Sequence, residues 1–201
     1  MNKELKRLQA YPFQKLTALL DGTSTKSRDR AIALTIGEPK HGPPGFVLEF
    51  FQDPSKLSAA LGSYPETRGL KSLRDSIAKF LGKRYNLKSS IDSERQVLPV
   101  NGTREALFAI AQCVLSKKST GLVLMPNPFY QIYEGAGILA GGNPYFINCF
   151  EDTNFQPNFE EVDASTWAKC ELLYICTPGN PSGAVISLET MKTLIQLSDE
   201  Y

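Results

Sequence analysis

The sequence predicts an α/β fold: a mostly parallel sheet with helices on both faces, giving three layers. Two observations lead there. Strand-like and helix-like segments alternate from residue 96 to the end of the chain. The run ELLYICTP (171–178) is almost continuously apolar, as expected of a strand covered on both faces. Right-handed crossovers then distribute the helices over the two faces of the sheet.

Each element has its own signal. MNKELKRLQAYPFQKLTALLDG opens the chain with Leu5, Leu8, Phe13, Leu16 and Leu20 as the contacts of a helical arm. Basic residues lead it, but no apolar stretch follows that would make a secretory signal. AIALTIGEP (31–39) reads as a short strand running into a turn, and Phe46 to Phe51 as a brief helix. GLKSLRDSIAKFLGKRY (69–85) is amphipathic: Leu70, Leu73, Ile77, Phe80 and Leu81 share one face. Lys71, Arg74, Asp75 and Lys79 are expected on the opposite, solvated face.

QVLPVN (96–101) is a strand candidate, followed by the helix TREALFAIAQCVL (103–115). GLVLMP (121–126) is strand-like, and FYQIYEGAGILAG (129–141) is helical in period but interrupted by glycines. NPYFINCF (143–150) and ELLYICTP are further strands. SLETMKTLIQLSDEY (187–201) closes as a helix, with Ser187 as its cap and Glu189 at its positive end. It stops at Tyr201 without a glycine cap or a closing strand, so the fold reads as interrupted. The expected division is an arm and connecting segment over 1–45 and a truncated sheet domain over 46–201.

Composition narrows the function classes. The chain has 201 residues, 42% apolar and 21% charged, with a formal net charge of +1. A near-neutral balance argues against nucleic acid or an anionic membrane as the dominant partner, and no window is long and apolar enough to span a bilayer. Cys113, Cys149, Cys170 and Cys176 lack metal-ligand spacing, and His41 is the only histidine. Buried free thiols and a reducing, cytoplasmic compartment are expected.

Three segments after strands could carry chemistry. In PVNGTREAL (99–107) a glycine turn opens a helix, whose unpaired main-chain N–H groups suit a phosphate. Gly102 permits close approach, Thr103 adds a hydroxyl and Arg104 a cation. The same residues would also serve a plain capped helix start. In NPFYQIY (127–133), Tyr130 could stack on a planar ring at the sheet's C-terminal edge. The aromatics there could equally be core. In TPGNPSG (177–183) two prolines and two glycines fix a turn that projects the amide of Asn180. IGEPKHGPP (36–44) and YPETRG (64–69) are either loops near a ligand or simple connections.

Taken in order, IGEP, YPETRGLKSLR, NGTREAL, PNPFYQIY and PGNPSG resemble the class I/II aminotransferases of fold type I. The resemblance spans essentially the whole chain. GEPKH, NGTREALF, NPFYQIYEG and NPSGAV are most similar to succinyldiaminopimelate aminotransferases of lysine biosynthesis. It implies the large-domain sheet of that fold, with residues 1–45 partly serving its small domain. It implies pyridoxal 5'-phosphate as cofactor, an amino acid and a 2-oxo acid as substrates, and a homodimer. Glutamate with 2-oxoglutarate is the expected second pair, and N-succinyl-diaminopimelate the expected specific substrate.

By the same resemblance, Gly102, Thr103 and Arg104 form the phosphate turn and Tyr130 stacks on the pyridine ring. Asn180 bonds the cofactor's phenolic oxygen, and Gly37 lies near the substrate carboxylate. Tyr64 reaches the phosphate of the other subunit. The family's Schiff-base lysine, pyridinium aspartate, tyrosine partner and carboxylate-gripping arginine lie beyond the matched segment. None of Lys117, Lys118, Lys169 or Lys192 stands in the lysine's context. No catalytic residue is therefore expected here, and the chain alone should not transaminate. Two other readings stay open: a β-lyase or synthase on the same scaffold, and a non-catalytic binding module.

Overall fold

A computed structural model describes residues 1–24, 32, 34, 36–116 and 121–201 of the chain. Its helices and strands are α1 (Pro12–Leu20), α2 (Gly45–Phe51), α3 (Pro54–Leu61), α4 (Lys71–Tyr85), α5 (Thr103–Val114), β1 (Leu122–Asn127), α6 (Ile132–Leu139), β2 (Asn143–Asn148), α7 (Ala164–Trp167), β3 (Cys170–Leu173) and α8 (Leu188–Glu200). A 3-10 turn covers Lys3–Arg7. The chain divides into two compact units, one of Met1–Ala18 with Val100–Tyr201 and one of Leu19–Pro99.

The first unit is built on a parallel three-stranded sheet in the order β2-β1-β3. β1 is central because it is the most apolar strand. Val123, Leu124 and Met125 are each fully buried, and each such burial stabilises by roughly 1.5–3 kcal/mol. Strand periodicity sends them to opposite faces. Val123 and Met125 join Ala111 and Leu115 of the α5 region, Tyr133 and Ala136 of α6, and Tyr174. Leu124 joins Ile147, Phe159, Val162, Trp167 and Leu194 of α8. Helices thus cover both faces, as the alternation predicts.

The glycines in and after α6 have a packing reason. A Cβ on Gly137 would come within 3.2 Å of Val123, and one on Gly142 within 2.8 Å. Their absence lets α6 and the turn after it lie directly on the central strand. At the other end, Ser187 caps α8 by accepting from the Thr190 N–H at 3.0 Å. The arm is tied down by two bonds. Asn2 donates to the Leu139 carbonyl at 3.3 Å, and Arg7 to the Asn143 side chain at 3.0 Å.

The second unit, taken by itself, contains α2, α3 and α4. Asp53 caps α3 through the N–H groups of Ser55 and Lys56. α4 ends on Asn86 in the left-handed conformation.

Several expectations are corrected. QVLPVN (96–101) forms no strand: Leu98 and Val100 are exposed, and Pro99 cannot donate to a ladder. ELLYICTP supplies only a short strand, because the chain turns away into Thr177–Pro178. The faces of α4 are also partly misassigned. Arg74 is buried, while Leu70, Leu73 and Phe80 are exposed. Arg74 turns inward because it finds partners: Glu94 at 2.9 Å and the carbonyls of Gly69 and Ser93 at 3.3 Å each. The four thiols are free, but Cys113 is exposed and the others only half-buried. The strand expected over 31–39 rests on residues 31, 33 and 35, which lie outside the described residues.

Candidate functional site

The site lies where the C-terminal ends of two neighbouring parallel strands meet the start of a helix. β1 runs out at Asn127 into Pro128–Gln131, and β3 runs out into the 174–187 loop. Every strand in this sheet points the same way, so these loops emerge at one edge.

Gly102 precedes α5 with φ +153°. A Cβ there would overlap the Glu105 carboxylate, which folds back over the turn. No side chain caps the first turn of α5. Its leading N–H groups and the positive end of its dipole suit an anion, which would take the place of the Glu105 carboxylate lying over the turn. Thr103 and Arg104 are both exposed on this turn.

Arg104 is brought to Tyr130, 26 residues away in sequence. Its Nε donates to the Tyr130 hydroxyl at 2.7 Å, and its guanidinium carbon lies 5.4 Å from the ring centroid. This bond to Tyr130 raises the Arg104 pKa further, and Tyr11 of the arm adds a smaller push in the same direction. The cation is permanent. Tyr130 is half-buried and meets Tyr133 edge-on, with centroids 5.9 Å apart. Tyr133 in turn stacks on Tyr174 at 4.5 Å and 10°. The Tyr174 hydroxyl donates to the Leu107 carbonyl in α5 at 2.6 Å. Burial pushes the phenols of Tyr133 and Tyr174 up to about 12, with the neighbouring Cys176 thiol contributing at Tyr133.

The TPGNPSG segment folds on itself. Gly179 N–H bonds the Ala184 carbonyl at 2.8 Å, and Gly183 N–H bonds the Gly179 carbonyl at 2.7 Å. Thr177 Oγ1 accepts from Ile186 N–H at 3.1 Å, closing the base of the loop. Asn180 sits at its tip, exposed. The loop is rigid by its own bonds, so the amide is presented and not consumed.

The structure thus brings Gly102, Thr103, Arg104 and Tyr130 together, with Asn180 on the loop leaving the adjacent strand. Gly37 and Tyr64 belong to the other compact unit, where both are exposed and Tyr64 is 99% accessible. Sequence reasoning misses Tyr174 and Tyr11. The signal for Tyr174 is a single phenol in an aliphatic run, since a buried hydroxyl requires a partner. Nothing in the sequence marks Tyr11.

The residues present fit an anionic ring ligand that displaces the Glu105 carboxylate: a helix N-terminus without an N-cap side chain, a fixed cation and an adjacent aromatic ring. A cavity of about 770 Å³ lies instead on the Leu124 side of the sheet, against Phe159, Trp167 and α8. Its lining contains Glu160 and Glu189 and no cation, which suits an anionic ligand poorly. Lys169 stands at the N-terminal end of β3, the far edge of the sheet, and Lys192 is exposed on α8. Lys117 and Lys118 lie outside the described residues.

Comparison with known proteins bears on the family and the fold. An LL-diaminopimelate aminotransferase of Dehalococcoides mccartyi is 32% identical over all of this chain and 50% of its own length. An aspartate aminotransferase of Thermotoga maritima is 33% identical over 96% of this chain and 50% of its own. In three dimensions the chain superposes on an aminotransferase crystal structure from Neisseria meningitidis with a TM-score of 0.90 and 39% identity. That match covers 100% of this chain and 50% of the other. The chain spans about half the length of the curated relatives it matches. The family profile of the class I and II aminotransferases, which are pyridoxal-phosphate-dependent transaminases, matches residues 29–201, and the chain belongs to that family.

Proposed function

We propose that this chain supplies the cofactor cradle of an aminotransferase that moves an amino group between an amino acid and a 2-oxo acid. The observation that carries the reading is the Arg104–Tyr130 bond at the uncapped start of α5. It sets a cation, a helix N-terminus and an aromatic ring side by side.

In this reading Gly102, Thr103 and Arg104 hold the phosphate of pyridoxal 5'-phosphate. Tyr130 offers its ring to the pyridine, and the exposed amide of Asn180 donates to the phenolic oxygen. When bound, the cofactor supplies an electron-withdrawing ring that stabilises negative charge developing at the amino acid's Cα. The residues of this chain bind and orient. Lys169 lies at the opposite edge of the sheet and Lys192 is exposed on α8, so neither is offered as the proton carrier. Gly37 would lie near the substrate carboxylate, and exposed Tyr64 would reach the phosphate of the second subunit of a homodimer.

The names of the similar proteins support LL-diaminopimelate as an amino-group partner, whereas N-succinyl-diaminopimelate and a place in lysine biosynthesis rest on the motif resemblance. The aspartate aminotransferase among them supports the wider class of acidic amino acids. Among the described residues no helix is long and apolar enough to cross a membrane. A cytoplasmic location is the reading we adopt, on the strength of the free thiols.

Equilibrium dialysis of the chain against pyridoxal 5'-phosphate, pyridoxal and inorganic phosphate tests this. The expected result is saturable binding of pyridoxal 5'-phosphate, weakened by Arg104→Ala and Tyr130→Ala, with no amino transfer. Equal affinity for pyridoxal and its phosphate would sink the phosphate assignment. Turnover by the chain alone would overturn the assignment of a purely binding role.

A further inference from the structure

The tyrosines behind the site close a circuit. From Arg104 the path runs through the Tyr130 hydroxyl at 2.7 Å, across the edge contact to Tyr133 at 5.9 Å, and through the 4.5 Å stack to Tyr174. The Tyr174 hydroxyl then returns to α5 at the Leu107 carbonyl, 2.6 Å away. Arg104 and Leu107 are three residues apart, so they lie on one face of the same helical turn. The circuit begins and ends on α5.

We propose that Tyr174 and Tyr133 are positioning residues that fix the spacing between the anion-binding start of α5 and the ring of Tyr130. This rests on the cofactor-cradle reading above. Three observations carry it. The Leu107 carbonyl lies within α5, so the Tyr174 phenol is an additional donor to it and is not needed to complete the helix ladder. Tyr174 and Tyr133 are only 4% exposed, so the stack has little room to shift. And Tyr130 is engaged at its hydroxyl by Arg104 and edge-on by Tyr133, so two contacts limit how its ring can move.

A spacer matters only to a ligand that touches both ends. A phosphate ion uses α5 alone. Pyridoxal 5'-phosphate uses α5 and Tyr130 together, so it alone depends on the distance between them. This separates a positioning role from general damage to the fold.

The experiment measures binding of pyridoxal 5'-phosphate and of inorganic phosphate to the 201-residue chain and to Tyr174→Phe, which removes one hydroxyl and keeps the stack. The expected result is a loss of roughly two- to tenfold in affinity for pyridoxal 5'-phosphate, the range one hydrogen bond supplies. Phosphate affinity stays unchanged. A second variant, Tyr133→Leu, removes the stacked ring and should show the same split. Should one variant fail to fold, the other still decides. Equal losses for both ligands would mean that the tyrosines merely stabilise α5, and would overturn the proposal. So would an unchanged affinity for pyridoxal 5'-phosphate. If the unmodified chain binds phosphate but does not prefer pyridoxal 5'-phosphate, the cradle reading itself fails, and with it this one.

Discussion

The Nε of Arg104 donates to the hydroxyl of Tyr130 at 2.7 Å, joining the first turn of α5 to the loop that leaves β1. The bond uses the planar fork of a guanidinium, which also faces the ring. A lysine at 104 would keep the charge and lose the fork. Arg104→Lys and Tyr130→Phe should each weaken pyridoxal 5'-phosphate binding. The double variant should be little worse than the poorer single one, because both changes break the same bond. A double-mutant cycle of dissociation constants checks this, and strict additivity would show that the two residues act separately.

The stacked pair Tyr133 and Tyr174 predicts a response to alkali. Burial raises both phenols to about 12 from an ordinary 10.0, which favours their neutral forms in the folded state. A group whose folded pKa is raised contributes stability below its unfolded pKa and loses it as pH rises through the folded value. Stability should therefore fall between about pH 10 and 12. Ultraviolet titration should show two of the eight tyrosines ionising late or only on unfolding. The double variant Tyr133→Phe, Tyr174→Phe should flatten this alkaline limb; an unaltered limb would place its origin elsewhere.

Much of this architecture is legible in the sequence, for identifiable reasons. β1 stands out because a strand buried on both faces must be apolar along its length, as GLVLMP nearly is; β2 is an edge strand with only Ile147 buried, and NPYFINCF is accordingly more mixed. α8 stands out because Ser187 and the stripe through Leu194 specify its start and its face. QVLPVN misleads because its apolar pattern records only that a segment could pair; no neighbouring strand among the described residues accepts it. Arg74 misleads because helical period assigns faces by residue type, whereas Glu94 and two carbonyls satisfy this charge on the inner side. The ring position Tyr130 can be named from its motif. Its support by Tyr174 cannot, since that contact joins residues from separate elements and depends on strand order.

The Arg74–Glu94 pair predicts a response to acid. The hydrogen bond from Arg74 holds the Glu94 carboxyl below its ordinary value of 4.5. A depressed carboxyl stabilises the fold above its unfolded pKa, and that contribution is lost as pH falls through the folded value. Glu94 is itself exposed, so solvent and salt screen the pair and the gain from its charge is small. Arg74→Met should lower the melting temperature at neutral pH, because Gly69 and Ser93 also lose a donor. It should also reduce the fall in stability below about pH 4.5 at low salt. Thermal melts of the two proteins across that range check both parts; parallel pH profiles would remove Glu94 from the account.

The glycines in and after α6 separate packing from propensity. A methyl group on Gly135 would meet nothing within 4 Å, so Gly135→Ala adds a good helix former at no steric cost. It should stabilise by roughly 0.5–1 kcal/mol through the unfolded chain's lost freedom. Gly142→Ala meets Val123 at 2.8 Å and Leu115 at 3.2 Å, and both are buried core side chains with little room to yield. It should destabilise by roughly 1–3 kcal/mol as an overpacked site. Adding Val123→Ala makes room for the new methyl but opens a cavity, so the double variant should lose less than the two single losses summed. Urea midpoints of the unmodified chain and these variants test the set. Equal effects at 135 and 142 would mean that backbone freedom, and not contact with the central strand, governs this region.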